Sequence, residues 1–170
     1  MAIDREKVFK QSRLTYRLET LANQAISAND PLFVEKLGCT IREMRILRLI
    51  DDYPGIEFNE IMHVSGLDRS LVSRLIRSLL DKGLVSRVNS SEDARRYGLF
   101  TTETGKACRL LGRKLSNTAE TLLLQPLNAI EVEQLKDILG KLLIWVRSDE
   151  YKGGVEALYD SFQGICDTQV

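Results

Sequence analysis

The sequence predicts a mainly α-helical protein carrying one small β-hairpin. Apolar residues recur at helical spacing along most of the 170 residues, and capping residues mark where helices start and stop. Strand character is confined to Leu84–Val88 and Tyr97–Thr101, which flank the polar run NSSEDARR. With 44% hydrophobic and 28% charged residues the chain has the composition of a soluble globular protein and not of a disordered one. Its length suits a compact domain with an added oligomerisation layer.

The first helix is expected from about Asp4 to Ala28, with Val8, Leu14, Leu18, Leu21, Ala22 and Ala25 on one side. Asn29-Asp30-Pro31 should end it, since proline lacks a backbone donor and disfavours helix in the residue before it. The connector LFVEKLGC follows. Thr40-Ile-Arg-Glu43 reads as a capping box that opens a helix with Ile41, Met44, Leu47 and either Leu49 or Ile50 inward. Tyr53-Pro54-Gly55 closes that helix. A short helix, Glu57 to Val64, stops at Ser65-Gly66.

Asp68 is placed to cap the next helix, where a carboxylate also suits the positive end of the dipole. Leu71, Leu75 and Leu79, joined by Val72, Ile76 and Leu80, form a wide apolar stripe. The other side carries Ser70, Ser73, Arg74 and Arg77, next to Arg69. Lys82-Gly83 ends the helix. Thr102 should cap a long helix to about Leu124, broken at Gln125-Pro126. Asn128-Ala-Ile-Glu131 is a second capping box, opening a helix through Val132, Leu135, Ile138, Leu139, Leu142, Leu143, Trp145 and Val146 to Ser148. GGVEALYDSFQGI is expected to add a short amphipathic helix before an acidic end.

Two helices joined by a tight turn, the second polar on its outward face and followed by a hairpin, make a winged helix-turn-helix. A helix sized for a major groove beside a basic hairpin able to reach the neighbouring minor groove is a DNA-reading device. The charge distribution agrees. Lys+Arg and Asp+Glu balance at 24 each, yet Arg69 to Arg96 holds seven bases against three acids. Ser148 to Val170 holds one lysine against five acids. A neutral total thus conceals a basic patch suited to double-stranded DNA. The expected division is 1–38, an N-terminal dimerisation helix and connector; 39–101, the winged helix-turn-helix; 102–148, C-terminal dimerisation helices; and 149–170, an acidic extension. Long apolar stripes on the flanking helices point to a two-fold homodimer in which they interlace.

Other functions find little to work with. Cys39, Cys108 and Cys166 have no metal-ligand spacing, and His63 is the single histidine. No nucleophile–base pair or phosphate-cradling glycine loop is evident, so no enzyme activity, cofactor or metal is expected. The N-terminus lacks the apolar run of a signal peptide and no stretch reaches the ~18 apolar residues of a membrane span, so a cytoplasmic bacterial protein without membrane contact is expected. Cys39 precedes a helix cap. A thiol there is either a redox switch with a lowered pKa or a small buried hydrophobe.

From Thr40 to Gly105 the chain resembles the MarR family of bacterial transcriptional regulators. The resemblance is carried by Thr40-Ile-Arg-Glu-Met-Arg-Ile-Leu, Gly66-Leu-Asp-Arg-Ser-Leu-Val-Ser-Arg-Leu, Leu79-Leu-Asp-Lys-Gly-Leu-Val-Ser-Arg, and Glu92-Asp-Ala-Arg-Arg leading to Thr101-Thr-Glu-Thr-Gly. It implies a homodimer on a pseudo-palindromic operator, usually a repressor released by a small phenolic or aromatic acid or by an oxidant. The DNA-contacting positions it implies are Arg69, Ser70, Ser73, Arg74 and Arg77 on the recognition helix, with Asp93, Arg95 and Arg96 in the wing and Arg95 as the minor-groove arginine. Tyr16, Arg17, Met44, Arg45, Met62 and His63 fall in segments that line the family's effector cleft, although methionines and aromatics at helical spacing also build plain core. Glu57 stands where the family often has a Thr or Ser cap, and Thr101 where it usually has Leu. Two competing readings are an oxidation sensor switched through Cys39 and a winged-helix module that binds protein.

Overall fold

The computed structural model describes residues 4–89 and 97–166. The elements are α1 (Arg5–Gln11), α2 (Leu14–Leu37), α3 (Ile41–Asp52), α4 (Phe58–Ser65), α5 (Arg69–Asp81), β1 (Val85–Asn89), β2 (Tyr97–Thr101), α6 (Glu103–Leu124), α7 (Ala129–Arg147) and α8 (Asp149–Cys166). The chain forms two compact units, Met1–Leu123 and Leu124–Val170. The architecture is mainly α with a two-stranded hairpin, as the sequence predicts.

The N-terminal helix departs from expectation at both ends. It is interrupted at Ser12, whose hydroxyl donates to the Phe9 carbonyl (2.7 Å), the local competition by which serine ends helices. Arg17 spans the break, donating to the carbonyls of Ser12 (3.1 Å) and Lys10 and lying 5.9 Å from the Phe9 ring. The stop at Asn29-Asp30-Pro31 is overturned: α2 runs through Pro31 to a left-handed Gly38, and the expected connector is helical. Proline inside a helix costs about 3 kcal/mol. Here Phe33, 1% exposed, and Leu37 pack into the core only if the helix continues. Asn29 donates to the Ala25 carbonyl (2.9 Å) and Asp30 accepts from the Ile41 amide (2.7 Å), so both polar residues before the proline support the continuing helix.

The core gathers around α3. Met44, Ile46, Leu47 and Ile50 are buried, and Ile50 rather than Leu49 takes the inner position. Ile61 of α4, Val72, Leu75, Ile76 and Leu79 of α5, and Leu99 of β2 complete it. The strands pair antiparallel, with Val85 opposite Thr101 and Asn89 opposite Tyr97. Leu84, expected in the strand, instead donates its amide to Leu79 and accepts from Thr102, closing the turn after α5. A further pairing has no signal in the sequence: the Gly55 amide donates to the Leu99 carbonyl (2.8 Å) and the Leu99 amide to Ile56 (3.1 Å). This stitches the loop after α3 onto the hairpin. Gly55 supplies the positive φ (+89°) that the turn requires, and Gly98 admits its backbone, since a Cβ there would lie 2.8 Å from the Gly55 oxygen.

Thr102 caps α6 as expected, accepting from the Gly105 amide (3.0 Å) while donating to the Gly83 carbonyl (2.8 Å). Gly105 and Gly112 then let α6 approach closely. A Cβ on Gly105 would fall 2.0 Å from the Leu84 oxygen, and one on Gly112 2.2 Å from Met44 Cε. Thr101, where the resemblance leads one to expect Leu, buries a hydroxyl that has no hydrogen-bond partner among the described residues. In the second unit the Asn128 box is present, with Asn128 and Glu131 exchanging bonds of 3.0 and 2.8 Å. α7 buries none of its residues, and Ile144 is 74% exposed. The expected short final helix is the 18-residue α8. No helix among the described residues is long and apolar enough to cross a membrane.

Gly105→Ala should destabilise the protein by about 1–3 kcal/mol despite alanine's better helix propensity, because the new methyl overlaps backbone that cannot yield. Thermal unfolding of the single variant, read by circular dichroism, checks the sign.

Candidate nucleic-acid interface

α5 is built to present one face outward. Asp68 caps it, accepting from the Leu71 amide (2.8 Å) and the Ser70 hydroxyl (2.6 Å). Both bonds hold its carboxyl below the ordinary carboxylate range. The apolar stripe is buried as predicted at Val72, Leu75, Ile76 and Leu79, with Leu71 and Leu80 partly buried beside it. Arg69, Ser70, Ser73, Arg74 and Arg77 are all exposed. Arg69 lies 5.4 Å from the Phe58 ring, and Arg74 Nε donates to the Ser70 carbonyl (3.4 Å). The face therefore offers two serine hydroxyls and three guanidinium groups in two turns of helix.

What holds this face in position is a buried carboxylate. Glu43, its side chain 6% exposed, accepts at Oε2 from the Thr40 amide (2.7 Å) and hydroxyl (3.1 Å). At Oε1 it accepts from the Ser78 hydroxyl and from Lys82 Nζ (2.7 Å). Burial alone raises its pKa, but the hydrogen bonds from Lys82, Ser78 and Thr40 and the lysine charge outweigh it and the net shift is downward. One side chain thus closes the capping box of α3 and grips the C-terminal turn of α5. The capping box was legible in the sequence. The reach to Ser78 and Lys82, 35 and 39 residues on, was not.

The hairpin base is well defined, with Arg87 5.8 Å from the Tyr97 ring. Arg87 adds a basic group at the root of the wing, where the sequence marks it only as one charge among several. Asp93, Arg95 and Arg96 lie outside the described residues.

The expected effector positions scatter across different environments. Met44 is core, its sulfur 3.9 Å from Cys108 Sγ and its methyl against Gly112. Met62 packs at the core margin. Tyr16, Arg45 and His63 are exposed, and Arg17 is engaged by the α1–α2 break. Cys39 is fully buried, and desolvation pushes its thiol from about 9 up to about 12, with the Lys82 charge opposing. Burial therefore runs opposite to the lowering that a helix N-terminus would produce.

Residues 39–97 match the MarR family model. The HTH-type transcriptional repressor Rv2887 of Mycobacterium tuberculosis is 26% identical over 129 residues, covering 76% of this chain and 90% of that protein. Residues 39–97 are thus similar to a MarR-family domain. Solved relatives share its fold. A MarR/EmrR family transcriptional regulator from Acinetobacter sp. ADP1 superposes with a TM-score of 0.69 at 27% identity, covering 86% of this chain and 98% of its own. MepR of S. aureus, solved as a DNA complex, gives 0.68 at 23% identity, covering 78% and 98%. Rv2887 itself, solved with p-aminosalicylic acid, gives 0.63 at 23%, covering 77% and 98%. Within the matched segment the chain departs from the family's usual pattern at Glu57, yet the cap there is served: Glu60 accepts from the Glu57 amide (2.8 Å).

Lys82→Met should cost about 3 kcal/mol, by leaving the Glu43 charge buried with one cation fewer. Because the Glu43 pKa is depressed on folding, its contribution is complete above the ordinary carboxylate value of 4.5 and is lost as pH falls through the lower folded value. Urea unfolding at several pH values should show the gap between wild type and Lys82→Met narrowing in acid.

Proposed function

We propose that this protein is a homodimeric, sequence-specific transcriptional repressor that leaves a pseudo-palindromic operator when a small phenolic or aromatic acid binds. The observation that carries the reading is the outward face of α5, where Ser70, Ser73, Arg74 and Arg77 are exposed opposite a buried stripe. Arginines so presented either pair bidentately with guanine or bind phosphate. Arg95 is assigned to the adjacent minor groove, whose potential attracts an inserted arginine where it is narrow. Asp93 and Arg96 are assigned to the wing beside it.

Exposed apolar residues on several helices support the dimer: Leu14, Leu18 and Leu21 on α2, Leu122 and Leu123 on α6, and Ile138, Leu142 and Ile144 on α7. Patches of this extent are normally covered. Two copies would set their recognition helices about one helical turn (~34 Å) apart on DNA. The repressor name of Rv2887, and its structure with p-aminosalicylic acid, support the repressor role and the ligand class. The MepR–DNA complex supports duplex DNA as the partner. Tyr16, Arg17, Met44, Arg45, Met62 and His63 are the effector positions this reading puts forward.

Genomic footprinting of the purified protein should yield a pseudo-palindromic site, with affinity falling steeply as salt rises. Arg77→Ala and Arg95→Ala should each weaken operator binding by roughly 1–3 kcal/mol in fluorescence anisotropy. Flat salt dependence would instead favour a protein-binding winged helix. Salicylate-type acids should raise the thermal midpoint and release the operator.

Ligand release is preferred over oxidation because Cys39 is buried and its thiol is pushed up. Peroxide at concentrations that oxidise exposed thiols should leave the operator affinity of a Cys166→Ser variant unchanged. Loss of binding that a reductant restores would transfer the switch to the buried cysteines.

A further inference from the structure

α8 lies outside the family match, which ends at residue 97. Tyr151, Val155, Leu158 and Phe162 follow one another at spacings of four, three and four along this helix. That is the 3.5-residue repeat of a coiled-coil seam, and it differs from the broader stripe of a helix lying on a core. Exposure rises along the seam, from 38% at Tyr151 through 48% and 60% to 64% at Phe162. The beginning of the helix is anchored: Ser148 caps it at the Tyr151 amide (3.1 Å), and the Tyr151 ring meets Trp145 edge-on at 6.0 Å. Beyond that anchor the seam is open within its own unit.

We propose that α8 pairs with α8 of a second copy of this chain through this seam. The charges decide for self-pairing. α8 is acidic, and two acidic helices would ordinarily repel. Asp149, Glu150, Glu156 and Asp160 all stand at the heptad positions away from the seam and its flanks. The flanking positions hold Gly154, Ser161, Tyr159 and Lys152, the last paired with Asp149 at 2.8 Å. No acid therefore faces an acid across the pair, and the small Gly154 and Ser161 allow close approach. The exposed seam of two copies amounts to roughly 1,000 Å², the lower bound of a specific interface. Adjacent glycines at 153 and 154 also weaken α8 as an isolated helix, so a partner supplies what its propensity lacks. The pairing rests on the dimer reading only in requiring a second copy, and not on the operator or the ligand.

The test is disulfide trapping in the full chain with Cys166→Ser. Leu158→Cys, at the centre of the seam, should form a reducible covalent dimer under copper-phenanthroline oxidation. It should do so roughly tenfold or more faster than Asp160→Cys on the far side, since pairing holds the two thiols at an effective concentration on the order of millimolar. Adding Val155→Glu, exposed and harmless to folding of one copy, should bring the Leu158→Cys rate down to the Asp160→Cys rate. Equal rates at 158 and 160 overturn the pairing. If the protein still sediments as a dimer that footprints an operator, the regulator reading stands while this one falls. Faster trapping at 158 with no operator bound upholds the pairing and overturns the regulator reading.

Discussion

The Glu43 carboxylate is the point on which the position of the outward face of α5 depends. A buried charge survives only when nearly every lone pair is engaged, and here one carboxylate accepts from Thr40, Ser78 and Lys82. The arrangement has a geometric consequence. α3 crosses the core and cannot shift without exposing Met44, Leu47 and Ile50, so anything bonded to its first turn inherits its position. The last turn of α5 is so bonded. Its other end is fixed by Asp68, whose carboxyl caps the helix and holds Ser70. A helix pinned at both termini and buried along one face has little freedom to rotate, and the direction of Arg74 and Arg77 follows from that.

The hairpin is tied to the same frame by backbone bonds as well as by the buried side chains of Val85 and Leu99. The Gly55–Leu99 and Leu99–Ile56 bonds attach β2 to the loop after α3, and the Gly105 contact with Leu84 sets α6 against the turn after α5. Three glycines, at 55, 98 and 105, mark the places where main chain meets main chain. The order of this region thus combines close backbone approach with side-chain packing.

Much of the fold was legible because it rests on local chemistry. The boxes at Thr40 and Asn128, the Asp68 cap, the Gly66 and Gly83 stops and the two faces of α5 are each set by residues within four positions of one another. Local signals misled where a distant partner overruled them. Pro31 is a strong helix breaker, but breaking there would have withdrawn Phe33 and Leu37 from the core. Ser12 gives little warning of a break because the apolar spacing continues past it. α8 reads as short because the adjacent glycines at 153 and 154 are poor helix formers, yet the helix, capped by Ser148 and braced by the Trp145–Tyr151 contact, runs on past them.

The sequence by itself determined the class of the molecule: capped helices in a known order, a basic outward face on one of them, and long apolar stripes on the flanking helices. Periodicity and capping are short-range properties, so they are written in consecutive residues. Tertiary structure decided which of those signals prevailed and how the parts are held. Only folding brings Glu43 to Lys82, buries Cys39 so that desolvation pushes its thiol up, and turns Gly105 from a helix weakness into a contact. Each of these depends on distance between residues far apart in the chain, which burial and hydrogen-bond satisfaction select and a linear pattern does not contain.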